Sequence, residues 1–289
     1  MKTRNSYIKY IAGLLLFGSN GTIASFIHLQ SYQIVYLRTF LGAALLLIVL
    51  FASRRALAGL KNPGDLLRVI ISGAAMGVGW LFLFEAYTRI GVGLSSLLYY
   101  CGPVIVIALS PVLFKEKLGL RKLPAFAVVL VGIFLVIGIG SDASFDTFGI
   151  LCGAASAVLL AVLVISNKLN KTVSGIENST VQLTTAFLVA AVYTIIKSGP
   201  VPPLATSDIL PVVVLGLVNT GFGCYLYFSS IGNLRVQTVA VLGYLEPLSA
   251  VVFSMVFLGE PMSALQVLGA ACIIGGAMYC ELGGGKRKV

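Results

Sequence analysis

The sequence predicts an all-α integral membrane protein of ten transmembrane helices, arranged as two inverted five-helix repeats. Three observations carry that prediction. The 289 residues are 58% hydrophobic and 10% charged, with a mean hydropathy of +1.01, whereas soluble domains carry roughly 25% charged residues. Apolar runs separated by short polar breaks fill nearly the whole chain, each near the about 20 residues that a bilayer-spanning helix needs. Displacing the sequence by 144 residues against itself aligns Gly77 with Gly221, Gly79 with Gly223, Phe84 with Phe228, Tyr100 with Tyr244 and Pro103 with Pro247, without a gap.

Span one, 8–28, follows Lys2, Arg4 and Lys9 and could pass for a signal peptide. No A-x-A-like cleavage site closes it and another hydrophobic run follows at once, so it reads as a helix. Spans two to five are 32–52, 66–88, 93–114 and 121–140, and spans six to ten are 148–167, 178–197, 208–230, 236–258 and 263–281. Gly and Pro inside several of them are tolerated in membranes when neighbouring helices or cavity water satisfy the loosened backbone. The five cysteines, Cys101, Cys152, Cys224, Cys272 and Cys280, lie in apolar segments without CxxC or CxxH spacing and read as small packing residues.

With the N-terminus inside, every Lys and Arg falls on the cytoplasmic side except Arg89 and Lys197 outside and Arg38 within a helix. By the positive-inside rule both termini are then cytoplasmic. The formal charge of +10 is explained by orientation in the membrane, and nucleic-acid binding is not expected.

The repeat keeps register onward, with Ser110 on Ser254, Glu116 on Glu260, Ala127 on Ala271 and Gly132 on Gly276. Pro and Glu hold register as well as Gly, so this is duplication and not shared composition. It divides the chain into 1–145 and 146–289. Five helices per half is an odd number, so the second half enters from the opposite side. Inverted repeats place a substrate site near the midplane between the halves and let one bundle rock against the other. Pro103 and Pro247 occupy matched positions where a proline removes a helix hydrogen bond and bends the chain, either as static kinks or as parts of a gate.

Phe17-Gly18-Ser19-Asn20, Leu37-Arg38-Thr39-Phe40 and the two Pro-to-Glu stretches, from Pro103 to Glu116 and from Pro247 to Glu260, resemble the EamA-type members of the drug/metabolite transporter superfamily across essentially the whole chain. The resemblance implies that spans one, three, four, six, eight and nine surround a central cavity while two, five, seven and ten pack outside. It implies transport of a small molecule, and the family's substrates include amino acids, other metabolites and drugs.

A charged side chain at a helix centre costs about 2.5 to 3.5 kcal/mol on insertion scales, so each needs a partner, a cavity or a function. Arg38 lies about 10 Å below the outer end of span two, at a depth similar to that of Glu85 in span three. The two are expected to pair as a structural or gating element, with outward snorkelling or substrate contact by Arg38 as alternatives. Glu246 lies near the midplane directly before Pro247, and its repeat mate is Gly102. A carboxyl present in one half only suits proton coupling or amine binding, against a hydrogen-bonded brace between helices.

At similar depth stand Ser19, Asn20, Trp80, Tyr99, Tyr100, Asn219, Tyr225, Tyr227 and Tyr244. With Glu246 they are the expected substrate-binding set, a cavity with apolar walls and a few polar handles. Aromatics at helical spacing such as Trp80, Phe84 and Tyr87 also serve as packing or as interfacial belts. Glu116 and Glu260 end matched spans on opposite faces and are read as helix-end braces bonded to the adjoining turn, or as gates. His28 is the only histidine, and the sequence has no HExxH, GxSxG or GxxxxGK[ST] pattern, which leaves zinc protease, serine hydrolase and ATP-driven pump without support.

The sequence therefore points to a secondary transporter of a bacterial inner membrane, exporting a small polar metabolite such as an amino acid, with membrane lipids as surroundings and protons as a candidate coupling ion. No cofactor, metal or catalytic residue is expected. The alternatives are a drug or organic-cation exporter, a metabolite importer, an intramembrane lipid-modifying enzyme and a non-transporting scaffold.

Overall fold

The computed structural model describes residues 2–53, 59–114, 123–138, 146–199, 204–231, 234 and 242–282. Among them the regular structure is helical. The helices are α1 (Lys2–Gly18), α2 (Asn20–Ala24), α3 (Ser31–Ala52), α4 (Pro63–Ile90), α5 (Val92–Tyr99), α6 (Gly102–Phe114) and α7 (Leu123–Gly138) in the first half. The second half has α8 (Thr147–Leu169), α9 (Gly175–Ser198), α10 (Thr206–Val213), α11 (Gly223–Ile231), α12 (Leu245–Phe253) and α13 (Ala264–Leu282). A π-helical stretch, Val214–Phe222, joins α10 to α11, and another, Ser254–Leu258, extends α12.

Local chemistry sets these ends. A reciprocal box between Gln30 and Gln33 starts α3, Pro63 occupies the first turn of α4, and Asp146 caps α8 by accepting from the Gly149 N–H. Gly91 and Gly199 end α4 and α9 at φ of 80° and 87°, where a side chain would be strained.

α3, α4, α8, α9 and the rod Thr206–Tyr227 are each long and apolar enough to cross a membrane, and Val92–Val106, Leu245–Leu258 and Ala264–Gly276 are shorter apolar helices. The multi-pass character expected from the sequence is thus present, with five full-length candidate spans among the described residues. Outward-facing side chains are apolar, among them Ile48, Val112, Leu130 and Ile196 at 66%, 80%, 66% and 81% exposure, as hydrocarbon surroundings require. Small residues bring helices close. A Cβ on Gly73 would lie 2.6 Å from the Gln182 carbonyl oxygen of α9, and one on Gly77 would lie 2.9 Å from Ala186; these two α4 glycines are spaced four apart on one face.

The packing reflects the duplication. α4 lies on α8 as α1 lies on α11, α4 on α9 as α3 on the Val214–Phe222 stretch, and α6 on α8 as α1 on α12, while α7 packs on its own mate α13. Exchanging the halves maps this pattern onto itself. The two ends of the bundle are fixed by polar contacts. At one, Asp65 at the start of α4 accepts from the Thr172 hydroxyl and the Lys171 and Thr172 amides, and Glu177 from the Gly59 N–H. At the other, Asp208 at the start of α10 meets His28. The matched rods of the two halves therefore begin at opposite ends.

The prolines differ from expectation. Helix breaks at Tyr100–Cys101 and at Tyr244 precede them, so Pro103 and Pro247 stand in the first turns of α6 and α12. First-turn amides have no intrahelical acceptor, so neither proline removes a helix bond. The bend comes from the break and the proline opens the next segment.

Candidate functional site

A cavity of about 440 Å³ lies between the halves. Its walls are aromatic: Tyr10 and Phe17 from α1, Trp80, Phe84 and Tyr87 from α4, Tyr99 and Tyr100 around the first break, Tyr227 from α11 and Tyr244 at the second. Tyr10 and Phe17 both pack against Tyr227, with ring centroids 5.2 and 5.8 Å apart, and Tyr99 meets Tyr100 edge-on at 5.4 Å. Polar groups enter at few points. Asn20, Arg38, Ser96, Thr220 and Glu246 line the centre, and Asn167, Ser179 and Gln182 carry the cavity toward the Asp65 end.

Of the expected binding set, Asn20, Trp80, Tyr99, Tyr100, Tyr227, Tyr244 and Glu246 converge on this cavity. Three do not. Tyr225 is 39% exposed, under the ammonium of Lys9; two residues before Tyr227 on a helix, it points to the opposite side. Asn219 is buried and its Nδ2 donates to the Leu16 carbonyl, to Ser19 Oγ and to Asn20 Oδ1. It ties the π-helical stretch to the break between α1 and α2, and Ser19, whose hydroxyl donates to the Leu16 carbonyl, belongs to that brace. Residues missed by sequence reading include Thr220 and Cys224, which stand seven and three residues before Tyr227 on its face, a spacing that could have found them. Cys224 thus faces the cavity instead of serving only as packing.

The arrangement of spans also needs correction. Arg38 from the second span and Ser179, Gln182 and Leu183 from the seventh line the cavity, so these helices are not purely peripheral. α7 and α13, the fifth and tenth, contribute no described lining residue.

The expected Arg38 to Glu85 pair is replaced by two separate arrangements. The Arg38 guanidinium lies over the rings of Trp80 and Phe84, 4.4 and 4.9 Å from their centroids, and its Nε donates to Thr220 Oγ1 at 3.1 Å. Glu85, one residue past Phe84 and so turned about 100° around α4, accepts from the Ser31 hydroxyl at 2.6 Å and from Arg89 Nε at 2.7 Å. Arg89 also donates to Asp146 Oδ2 at 2.6 Å. That bond, with the Gly149 N–H, holds the Asp146 carboxyl below the usual carboxylate range.

Glu260 closes the same end. Its carboxylate accepts from the Val92 N–H at 2.9 Å and from the Gly93 N–H at 3.0 Å, capping α5 in the other half. It does not bond the adjoining turn of its own helix, as expected from sequence, but joins the two repeats. The first-turn amides of a helix favour an anionic acceptor. Glu116, its repeat mate, lies outside the described residues. His28, the only histidine of the sequence, approaches Asp208 with Nδ1 at 2.9 Å. Among the described residues no cluster of His, Cys, Asp and Glu could hold a metal ion.

The EamA-like transporter family matches residues 5–138 and 147–280, one match in each half. An uncharacterized transporter of Bacillus subtilis, YxxF, is 25% identical over 93% of this chain and 87% of its own length. A protein of Streptantibioticus cattleyicolor named "Probable terminal-alkyne amino-acid exporter" is 25% identical over 76% of this chain and 75% of its own. A solved crystal structure shares the fold, with a TM-score of 0.67 at 21% identity over 98% of this chain and 99% of that one.

Proposed function

The chain belongs to the EamA-like transporter family, and from that premise we propose that it is a secondary transporter of a bacterial inner membrane that exports a small polar metabolite, such as an amino acid, by alternating access. Ten crossings, halves at 1–145 and 146–289, and cytoplasmic termini complete the reading. The observation that carries it is the position of Glu246, an ionisable group in the first turn after one of two matched helix breaks, lining a cavity between two repeats. Such repeats rock about a midplane site. Pro103 and Pro247, each opening the segment after a break, serve as the rigid starts of the moving parts. Glu246 couples transport to protons.

The name of the Streptantibioticus relative supports an amino-acid substrate and outward direction. The aromatic walls favour a second reading, export of an organic cation, because a cation is attracted to ring faces.

Purified protein in liposomes, assayed for counterflow of labelled amino acids, amines and drugs, tests the reading. Counterflow of at least one amino acid is expected. Glu246→Gln keeps shape while removing titration, so it should reach the membrane and lose acceleration by a pH gradient. Wild-type rates and pH dependence in that variant would overturn the coupling role. Counterflow of amines or drugs alone selects the second reading, and an intramembrane lipid-modifying enzyme would give no counterflow of any solute.

A further inference from the structure

Arg38 is 2% exposed, yet among the described residues no carboxylate lies within ion-pair distance of it and only its Nε has a hydrogen-bond partner, Thr220 Oγ1. A guanidinium carries five N–H donors in a rigid fork. The rings of Trp80 and Phe84 cover its face, which supports the charge but accepts none of the edge N–H groups. Leaving such donors unmatched in a membrane interior is costly. Arg38 lines the cavity, so the donors have one remaining direction.

We propose that Arg38 is the carboxylate receptor of the transport site, and that the substrate carries a carboxylate. This rests on the reading that the cavity is where the substrate binds, and deepens it by naming a chemical group. Three further features fit. Thr220 Oγ1 donates to the Leu215 carbonyl at 2.7 Å, so its lone pair is turned toward Arg38 Nε and fixes the guanidinium in place. Arg38 is the only Lys, Arg or His among the described lining residues, and one cation balances a monoanion such as a carboxylate better than a phosphate dianion. Glu246, lining the same cavity, supplies the opposite sign for an amine on the same molecule.

The chain has a single tryptophan, Trp80, and it touches Arg38. Its fluorescence therefore reports occupancy of the receptor without a label. Wild-type protein in nanodiscs is titrated with the L-amino acids other than tryptophan and tyrosine, with their methyl esters, and with the matching carboxylic acids that lack the amine. The expected result is that at least one carboxylate-bearing probe shifts Trp80 emission and binds about ten-fold or more tighter than its ester, the scale of a lost charge-assisted hydrogen bond. Arg38→Lys, which keeps the charge and loses the fork, should reduce that acid-to-ester ratio toward one.

Esters that bind as tightly as acids would overturn the proposal, as would the absence of any carboxylate-bearing probe that perturbs Trp80. Should Arg38→Lys fail to fold, the wild-type ratio decides by itself. The outcome is separate from that of the liposome assay: counterflow of amines without acid-to-ester discrimination leaves a transporter and removes this receptor.

Discussion

Arg38 and Glu85 share a depth, and depth was legible because distance along a span is a count of residues. Azimuth between helices was not. Placing Arg38 against α4 was sound; it meets the Trp80–Phe84 face, while Glu85, a single residue on, turns to Arg89 and Ser31. The same residues explain the two cations on the sparsely charged face. Arg89 is held by Glu85 and Asp146, and Lys197 donates to the Tyr193 hydroxyl and lies 5.1 Å from the Tyr32 ring centroid. Asp146 stands before α8, at the edge of the bilayer, and offers a titration. Arg89 and then the Gly149 N–H lower its pKa in the folded state relative to an ordinary value of about 4. A depressed carboxyl stabilises above its unfolded pKa and loses that contribution as pH falls through the folded one. Melting temperature in detergent should therefore fall more steeply from about pH 5 to about pH 3 in wild type than in Asp146→Asn. Equal slopes would show that the contact carries no net stability.

Breaks and not prolines shape the central elements. The sequence marked both places, since Pro103 and Pro247 keep register, but it assigned the bend to a lost hydrogen bond, whereas each helix has already stopped at Tyr100 or Tyr244. Self-alignment finds equivalent positions; it does not tell which atom loses a partner. The two π-helical stretches were equally illegible, because the apolar pattern is the same for either winding. Glu260 shows the converse. Its conservation of register with Glu116 marked it as an end group, yet its partner is the first turn of α5, 167 residues away along the chain at Gly93. Gly91, at φ 80° and with a hypothetical Cβ 3.0 Å from the Glu260 carboxylate, allows the helix start to come that close. Glu260→Gln retains one acceptor oxygen and gives up the charge and the second bond. It should lower stability by about 1–2 kcal/mol, read as a shift in thermal unfolding in detergent. No shift would mean that this carboxylate adds no net stability to the contact between the repeats.

At the scale of the molecule, the two ends of the cavity are unlike. The Glu260 end is spanned by the Glu260 cap, the Ser31–Glu85–Arg89–Asp146 chain and the His28–Asp208 contact, while the lining continues through Gln182, Ser179 and Asn167 toward the Asp65 end. On the proposed orientation, in which the positive-inside rule puts the Asp65 end in the cytoplasm, a cavity that extends toward that end is predicted to face inward. The duplication, the family and the central cavity could all be inferred from the sequence, because register and composition are properties of a string. The end toward which the cavity extends could not, because that depends on how the helices pack and not on register. Cys224 lines the cavity and supplies a native probe. In a variant keeping Cys224 as its only cysteine, a membrane-impermeant maleimide should react readily in inside-out vesicles and at least about ten-fold more slowly in right-side-out ones; a bias of 1.4 kcal/mol toward the inward state suffices for that ratio. Glu260 joins the halves in this conformation, so adding Glu260→Gln is predicted to raise outer labelling and lower inner labelling together. Equal reactivity from both faces in the parent variant would remove the inward-facing assignment, and a Glu260→Gln variant with unchanged ratio would confine that carboxylate to bracing a helix end.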